Sequence, residues 1–142
     1  MHAIEIVIGR PLPLPVLRSA VRAGFPSPAD DFAEEEIDLQ QLLIRNRPAT
    51  FLIRVDGDSM VEKRLHHGDL AVVDRSLAPR PGDVVVVDID GERSFKVWAP
   101  RSGRIELAFA NRTYPLFQVP SDALVEVWGV VSSISSSRRA TR

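Results

Sequence analysis

From Phe51 onward the chain is written in short β-rich runs with Gly or Pro in almost every gap, and this punctuation constrains the fold more than any other feature. Phe51, Ile53 and Val55 alternate with Leu52 and Arg54; Leu70–Val73, Val84–Ile89, Arg93–Trp98, Arg104–Phe109 and Val125–Ile134 follow. Between and beside them stand Gly57, Gly68, Pro79, Pro81-Gly82, Gly91, Pro100, Gly103, Pro115 and Pro120. β-Branched and aromatic residues suit a pleated surface, and Gly and Pro supply the backbone angles that turns need. Many short strands at close spacing predict a mainly β body, either a compact small barrel or a pair of packed sheets. Val84–Ile89 is nearly continuous apolar sequence, which predicts burial on both faces. Asp90-Gly91, set between apolar runs, predicts a two-residue hairpin.

The N-terminal part is different. Five of the eleven prolines (Pro11, Pro13, Pro15, Pro26 and Pro28) fall within the first 28 residues. Alternating Pro-Leu-Pro-Leu-Pro lacks donors for a regular ladder and favours extended, polyproline-like chain. Residues 1–35 are therefore expected to form an extended arm, and residues 36–142 the β-rich body. Apolar residues of the arm, among them Ile4, Ile6, Ile8, Leu12 and Leu14, imply that it lies on a surface of its own body or of a partner. Asp38-Leu39-Gln40-Gln41 has the form of a capping box and predicts one short helix, roughly Leu39–Asn46, ended ahead of Pro48.

Composition narrows the function classes. The 142 residues carry 18 Lys+Arg against 19 Asp+Glu, and a net charge of −1 argues against a free-standing nucleic-acid binder. The acidic stretch from Asp30 to Asp38 reads as a solvated face, and the Arg138, Arg139, Arg142 tail as a frayed chain end. The absence of Cys excludes disulfides, thiolate nucleophiles and Cys-ligated zinc, and fits a reducing cytosol. No apolar run approaches the ~18 residues of a membrane span, and Met1–Arg10 lacks the pattern of a secretory signal. His2, His66 and His67 have no metal-ligand spacing, and no Gly-rich loop of phosphate-cradling form is present.

Two features can carry chemistry. Gly57-Asp58-Ser59-Met60 directly follows the strand ending at Val55. A small-residue turn there lifts a Ser out of the sheet beside backbone N–H groups, as an acyl-transfer nucleophile and its oxyanion hole require. Gly-Asp-Ser is also a common turn. Lys96 lies in the strand-like run Ser94-Phe95-Lys96-Val97-Trp98, sharing a face with Ser94 and Trp98. Such a Lys usually extends its amine to water. If it is desolvated instead, burial disfavours the ammonium, and the neutral amine can take a proton from a Ser hydroxyl. A Ser–Lys pair then supplies nucleophile and base without His, Cys or metal.

Further landmarks surround these two: Ala23-Gly24-Phe25-Pro26-Ser27-Pro28-Ala29, Ile37-Asp38-Leu39-Gln40-Gln41-Leu42-Leu43-Ile44, Gly68-Asp69-Leu70 nine residues beyond Ser59, Gly82-Asp83, Asp90-Gly91-Glu92 and Gly129-Val130-Val131. Lys96 stands 37 residues beyond Ser59. With this set the chain resembles the UmuD-like branch of the self-cleaving LexA-type serine peptidases of the bacterial SOS response to DNA damage. The resemblance covers nearly all of the chain after residue 20.

The resemblance implies a LexA-type peptidase body with Ser59 as nucleophile and Lys96 as general base, cutting the chain's own Ala23–Gly24 bond. It implies that a RecA filament on single-stranded DNA promotes this self-cleavage without doing the chemistry. It further implies a cytoplasmic homodimer whose trimmed form joins a UmuC-type subunit as an error-prone translesion DNA polymerase. No cofactor, no metal, no direct DNA binding and no membrane association are expected. LexA-type repressors carry an N-terminal DNA-binding domain; the roughly 50 residues ahead of the β body here show no helix-turn-helix pattern, which separates the chain from the repressor branch. Chains of the UmuD-like branch often carry glycine where Lys63 and Arg64 stand.

Residue chemistry agrees on separate grounds. Small Ala23 and Gly24 admit a backbone to a tight site, and cleavage leaves the 119 residues 24–142 with the β body intact. The 35 residues from Gly24 to Ser59, at roughly 3.3 Å each, reach over ~100 Å, so cutting in cis and in trans are both permitted. Trp98 is expected to help exclude water from the Lys96 amine. The competing possibility is a binding module of peptidase-like fold that regulates a translesion polymerase without cutting itself. Retention of Ser59, Lys96 and Ala23–Gly24 together favours the peptidase.

Overall fold

The computed structural model describes residues 9–18, 20, 23–24 and 32–136. Ile4, Ile6, Ile8, the Phe25–Ala29 landmark and the Arg tail lie outside the described residues. Two sheets are present among those described. The smaller pairs β1 (Pro13–Leu17) with β2 (Ala33–Asp38), antiparallel. β2 runs into α1 (Leu39–Leu43), whose cap is the one the sequence indicates: Asp38 accepts from Gln40 N–H at 3.1 Å. The helix is three residues shorter than expected: Ile44 is already extended (φ −122°, ψ 100°), and a separate 3₁₀ turn follows at Arg47–Ala49.

The Pro-rich arm corrects the polyproline expectation. Leu12 O accepts from Leu39 N–H at 3.3 Å, Leu12 N–H donates to Asp38 Oδ1 at 3.2 Å, and Arg18 N–H donates to Phe32 O at 2.8 Å. Even-numbered residues of β1 thus turn their backbone groups toward β2, and Pro13 and Pro15 lie between them facing away. Prolines spaced two apart remove donors only from the outer edge, where a ladder does not need them. The same spacing blunts that edge against further strand pairing.

The larger sheet has the order β3–β4–β8–β5–β6–β7, built from β3 (Thr50–Arg54), β4 (Leu70–Asp74), β5 (Val84–Ile89), β6 (Glu92–Trp98), β7 (Leu107–Ala108) and β8 (Val125–Ser135). Every pairing is antiparallel. The fold is therefore mainly β, as expected. The anticipated strand at Arg104–Phe109 shrinks to two residues, with only an isolated bridge between Arg101 and Arg104 before it.

β8 bends the sheet. Its register skips Ser132 opposite β4 and Trp128 opposite β5, placing one extra residue at each crossing. Such bulges increase twist and curl a sheet, and here the sheet curls into a half-barrel. Gly129 sits between the two bulges, where a Cβ would stand 2.6 Å from Val73 Cγ1, so the strands approach as closely as they do only because the side chain is absent.

β5 feeds both faces of the sheet, as its continuous apolar sequence implies. Val84 and Val86 join Val55, Met60, Leu65, Ala71, Val73 and Trp128 in one core cluster. Val85 and Val87 join Leu107 and Val130 in a second, with Trp98, Phe117 and Val119 packed against it. Each fully buried valine contributes about 1.5–3 kcal/mol. The β5–β6 hairpin turns at Asp90 (φ 50°) and Gly91 (φ 86°), both left-handed, as the tight turn matching strand twist requires.

Candidate active site

The Ser59 turn is held between two buried anchors. Val55 at its start is 3% exposed and Met60 just after Ser59 is 2% exposed, both in the first core cluster. Val55 N–H donates to Asp69 O and Gly68 N–H donates to Val55 O, each at 2.9 Å, closing the base of the loop. Gly57 provides the left-handed φ of 95° at which the chain leaves the strand. With Met60 drawn into the core, Ser59 is left partly exposed and lines a cavity of about 340 Å³.

Beyond Met60 a 3₁₀ turn, Val61–Lys63, ends at Arg64, which is left-handed with φ 64°. This is the conformation that glycine adopts freely and that costs other residues roughly 1–2 kcal/mol. Arg64 accepts it, and its N–H donates to Val61 O at 3.0 Å. The loop closes with Arg in place of the glycine common in the resembling chains.

Lys96 lines the same cavity from β6. It is 6% exposed, so of the two possibilities open for a strand lysine, an amine extended to water or one withdrawn from it, the buried one holds here. Nζ donates to Ser94 Oγ at 2.8 Å and to Phe95 O at 3.3 Å. The rings of Phe109 and Phe117 face Nζ, with centroids at 5.0 and 4.8 Å. Burial pushes the Lys96 pKa below the ordinary lysine value. Among the described residues the rings over the amine are these two; Trp98, like Phe117, packs against the second core cluster.

The geometry thus brings Ser59 and Lys96 to one cavity at the outer side of β6. That side is open because β7 pairs only with Val97 and Trp98, leaving Glu92–Lys96 without a strand partner there. The cavity is also lined by Ile53, Val55, Val86 and Phe95, and by the charged Arg54, Asp56 and Arg93. Arg93 is committed elsewhere: it donates to both Asp88 oxygens, at 2.7 and 3.1 Å, and holds that carboxyl below the usual range. Ala23 and Gly24 lie exposed in a bend of the connection between β1 and β2 and do not line the cavity. A Cβ built on Gly24 would meet no atom within 4 Å.

Several residues of the site gave no sequence signal. His67, expected to be a loop residue, accepts from Gly57 N–H through Nδ1 at 3.0 Å and so bears on the Ser59 turn. Asn111, Tyr114 and Phe117 come from an irregular segment with no periodicity to mark them, and Phe109 stands at the end of the run anticipated as a strand, just past β7. Ser94 was legible in part, since a strand period of two places it on the face of Lys96.

Among known proteins, the family model described as Peptidase S24-like matches residues 15–132. Protein SamA of Salmonella typhimurium is 42% identical over 127 residues, covering 89% of this chain and 88% of its own length. Protein MucA of Escherichia coli is 37% identical over 122 residues, covering 84% and 82%. A LexA repressor of Alcanivorax borkumensis is 38% identical over 112 residues, which are 79% of this chain and 54% of the repressor. The match spans the Ser59 turn, Lys96 and all six strands of the larger sheet up to the last residues of β8, so the chain belongs to the Peptidase S24-like family.

Proposed function

We propose that the chain is a UmuD-like serine endopeptidase that cuts its own Ala23–Gly24 bond with Ser59 as nucleophile and Lys96 as general base. The arm of residues 1–35 carries the bond and residues 36–142 carry the peptidase. The observation that supports this most directly is the shared cavity of Ser59 and a buried Lys96. Desolvation favours the neutral amine, which is the form able to accept a proton.

In the reaction, neutral Lys96 Nζ takes the proton of Ser59 Oγ as Oγ bonds to the Ala23 carbonyl carbon. The tetrahedral intermediate collapses with cleavage of the Ala23–Gly24 C–N bond, and the lysine proton passes to the Gly24 nitrogen. Ala23 is then an ester of Ser59. Water, deprotonated by the same amine, hydrolyses it and restores Ser59. A RecA filament on single-stranded DNA stimulates the step. The trimmed homodimer, residues 24–142 in each copy, serves as accessory subunit to a UmuC-type translesion polymerase in the cytoplasm. No helix among the described residues is long and apolar enough to cross a membrane.

Intact-mass spectrometry at mildly alkaline pH tests the chemistry. A single cut yielding residues 1–23 and 24–142, absent in Ser59→Ala and in Lys96→Ala, is expected. A Ser59→Ala chain that still cuts itself overturns the mechanism. A wild-type chain left whole even with RecA filament makes this a binding module of peptidase fold.

A further inference from the structure

The segment 107–117 touches both members of the Ser59–Lys96 pair, and it does so with different chemistry on each side. On the serine side it uses hydrogen bonds. Ala110 N–H donates to Ser59 O at 2.9 Å, and Ala110 O accepts from Glu62 N–H at 2.7 Å, so one residue brackets the nucleophile's turn from both ends. Asn111 Nδ2 donates to Asp58 O at 2.8 Å. The other end of that amide is fixed, because Asn111 Oδ1 accepts from Thr113 N–H at 3.0 Å and Thr113 Oγ1 at 2.7 Å. Tyr114 O–H donates to Asp58 Oδ1. Arg112 closes the far end of the loop on Glu62 Oε2 through N–H at 3.1 Å and Nε at 2.9 Å.

On the lysine side the segment uses rings. The Tyr114 ring packs on Phe109 at 5.1 Å and Phe109 on Phe117 at 5.3 Å, and the latter two face Lys96 Nζ. Ser59 and Lys96 stand on different elements, and no strand pairing joins the Ser59 turn to β6. We infer that Asn111 and Tyr114 are positioning residues, which grip the backbone carbonyl and one carboxylate oxygen of Asp58 and thereby set how the Ser59 hydroxyl meets the Lys96 amine. The inference rests on Ser59 being the nucleophile. The division of labour inside Tyr114 is its sharpest consequence: the ring serves the aromatic stack, and only the hydroxyl serves Asp58.

Nucleophile reactivity reads this out separately from cleavage. The probe is a small fluorophosphonate, with modification of Ser59 followed by mass in the full chain beside the rate of self-cleavage and the thermal midpoint. Misplacing reacting groups by about an ångström costs up to ~100-fold in rate. Tyr114→Phe keeps the ring and drops the donor, and it is expected to slow both rates about tenfold with little change in thermal midpoint. Asp58→Ala is expected to do the same, and the double variant to be no slower than either single one, as for two ends of one contact. Asp58→Asn, which still accepts through its amide oxygen, is expected to restore most of the rate. Wild-type rates in Tyr114→Phe, or losses that multiply in the double variant, overturn the inference while leaving Ser59 as nucleophile. A wild-type chain unmodified at Ser59 overturns the nucleophile assignment instead, and the inference with it.

Discussion

In the proposed mechanism Lys96 is where one residue decides the chemistry. Two influences of opposite sign act on its amine. Withdrawal from water disfavours the ammonium and lowers the pKa. The faces of Phe109 and Phe117, and the acceptors Ser94 Oγ and Phe95 O, favour it. Desolvation is the larger influence, so the folded pKa lies below the ~10.4 of a free lysine. Between the two values the unfolded chain binds more protons than the folded one, and stability contributed by this group rises with pH across that window. Under the proposed mechanism cleavage is expected to rise with pH in the same direction, because only a neutral amine can accept the Ser59 proton. The expected cleavage midpoint is therefore below ~10.4 in a rate-against-pH series. Phe117→Leu keeps apolar volume and removes one ring face, which is worth roughly 0.5–1 kcal/mol to the cation. The midpoint is expected to move down by about 0.4–0.7 pH unit; a midpoint that stays or rises counts against the rings as stabilisers of the ammonium.

At the scale of the element, the arm shows how much a pattern can say when it is read with the right period. Pro-Leu-Pro-Leu-Pro looks like a run that cannot join a ladder, yet its period of two matches that of a strand. The missing donors therefore all face outward in β1. Local sequence carried the proline spacing; pairing with β2, some twenty residues on, decided what it meant. A two-stranded ladder alone is marginal in water. Cutting at Ala23–Gly24 turns the β1–β2 pairing from one within a chain into one between two chains, at much lower effective concentration. At micromolar protein the fragment 1–23 is expected to elute apart from residues 24–142. Amide hydrogen exchange over Ala33–Asp38 is expected to speed up after the cut; unchanged exchange there would mean that the fragment stays paired.

At the scale of the whole molecule, every described residue of the two core clusters lies beyond residue 49, within the six-stranded sheet and its loops. The described part of the arm hairpin is largely exposed, with Leu12, Leu14 and Leu17 each 44–52% accessible. Removing it therefore takes little apolar surface out of the core. Residues 24–142 are expected to unfold within a few degrees of the uncut Ser59→Ala chain by circular dichroism. A drop of more than about 5 °C, on the order of 1–2 kcal/mol for a chain of this size, would show that the arm supports the body.

What the sequence determined by itself was local: the rhythm of strands and turns, the Asp38 cap, the Asp90-Gly91 hairpin, and the residue types of Ser59 and Lys96 at their spacing. These follow from backbone angles and side-chain alternation, which act over a few residues. Only the tertiary structure decided that β8 runs between β4 and β5, that its bulges and Gly129 curl the sheet, and that segment 107–117 bridges the Ser59 turn and the Lys96 amine. Those depend on pairings between residues about fifty apart in the chain. An irregular segment such as 110–117 has no period to announce its partners, so its role exists only once the body has closed around it.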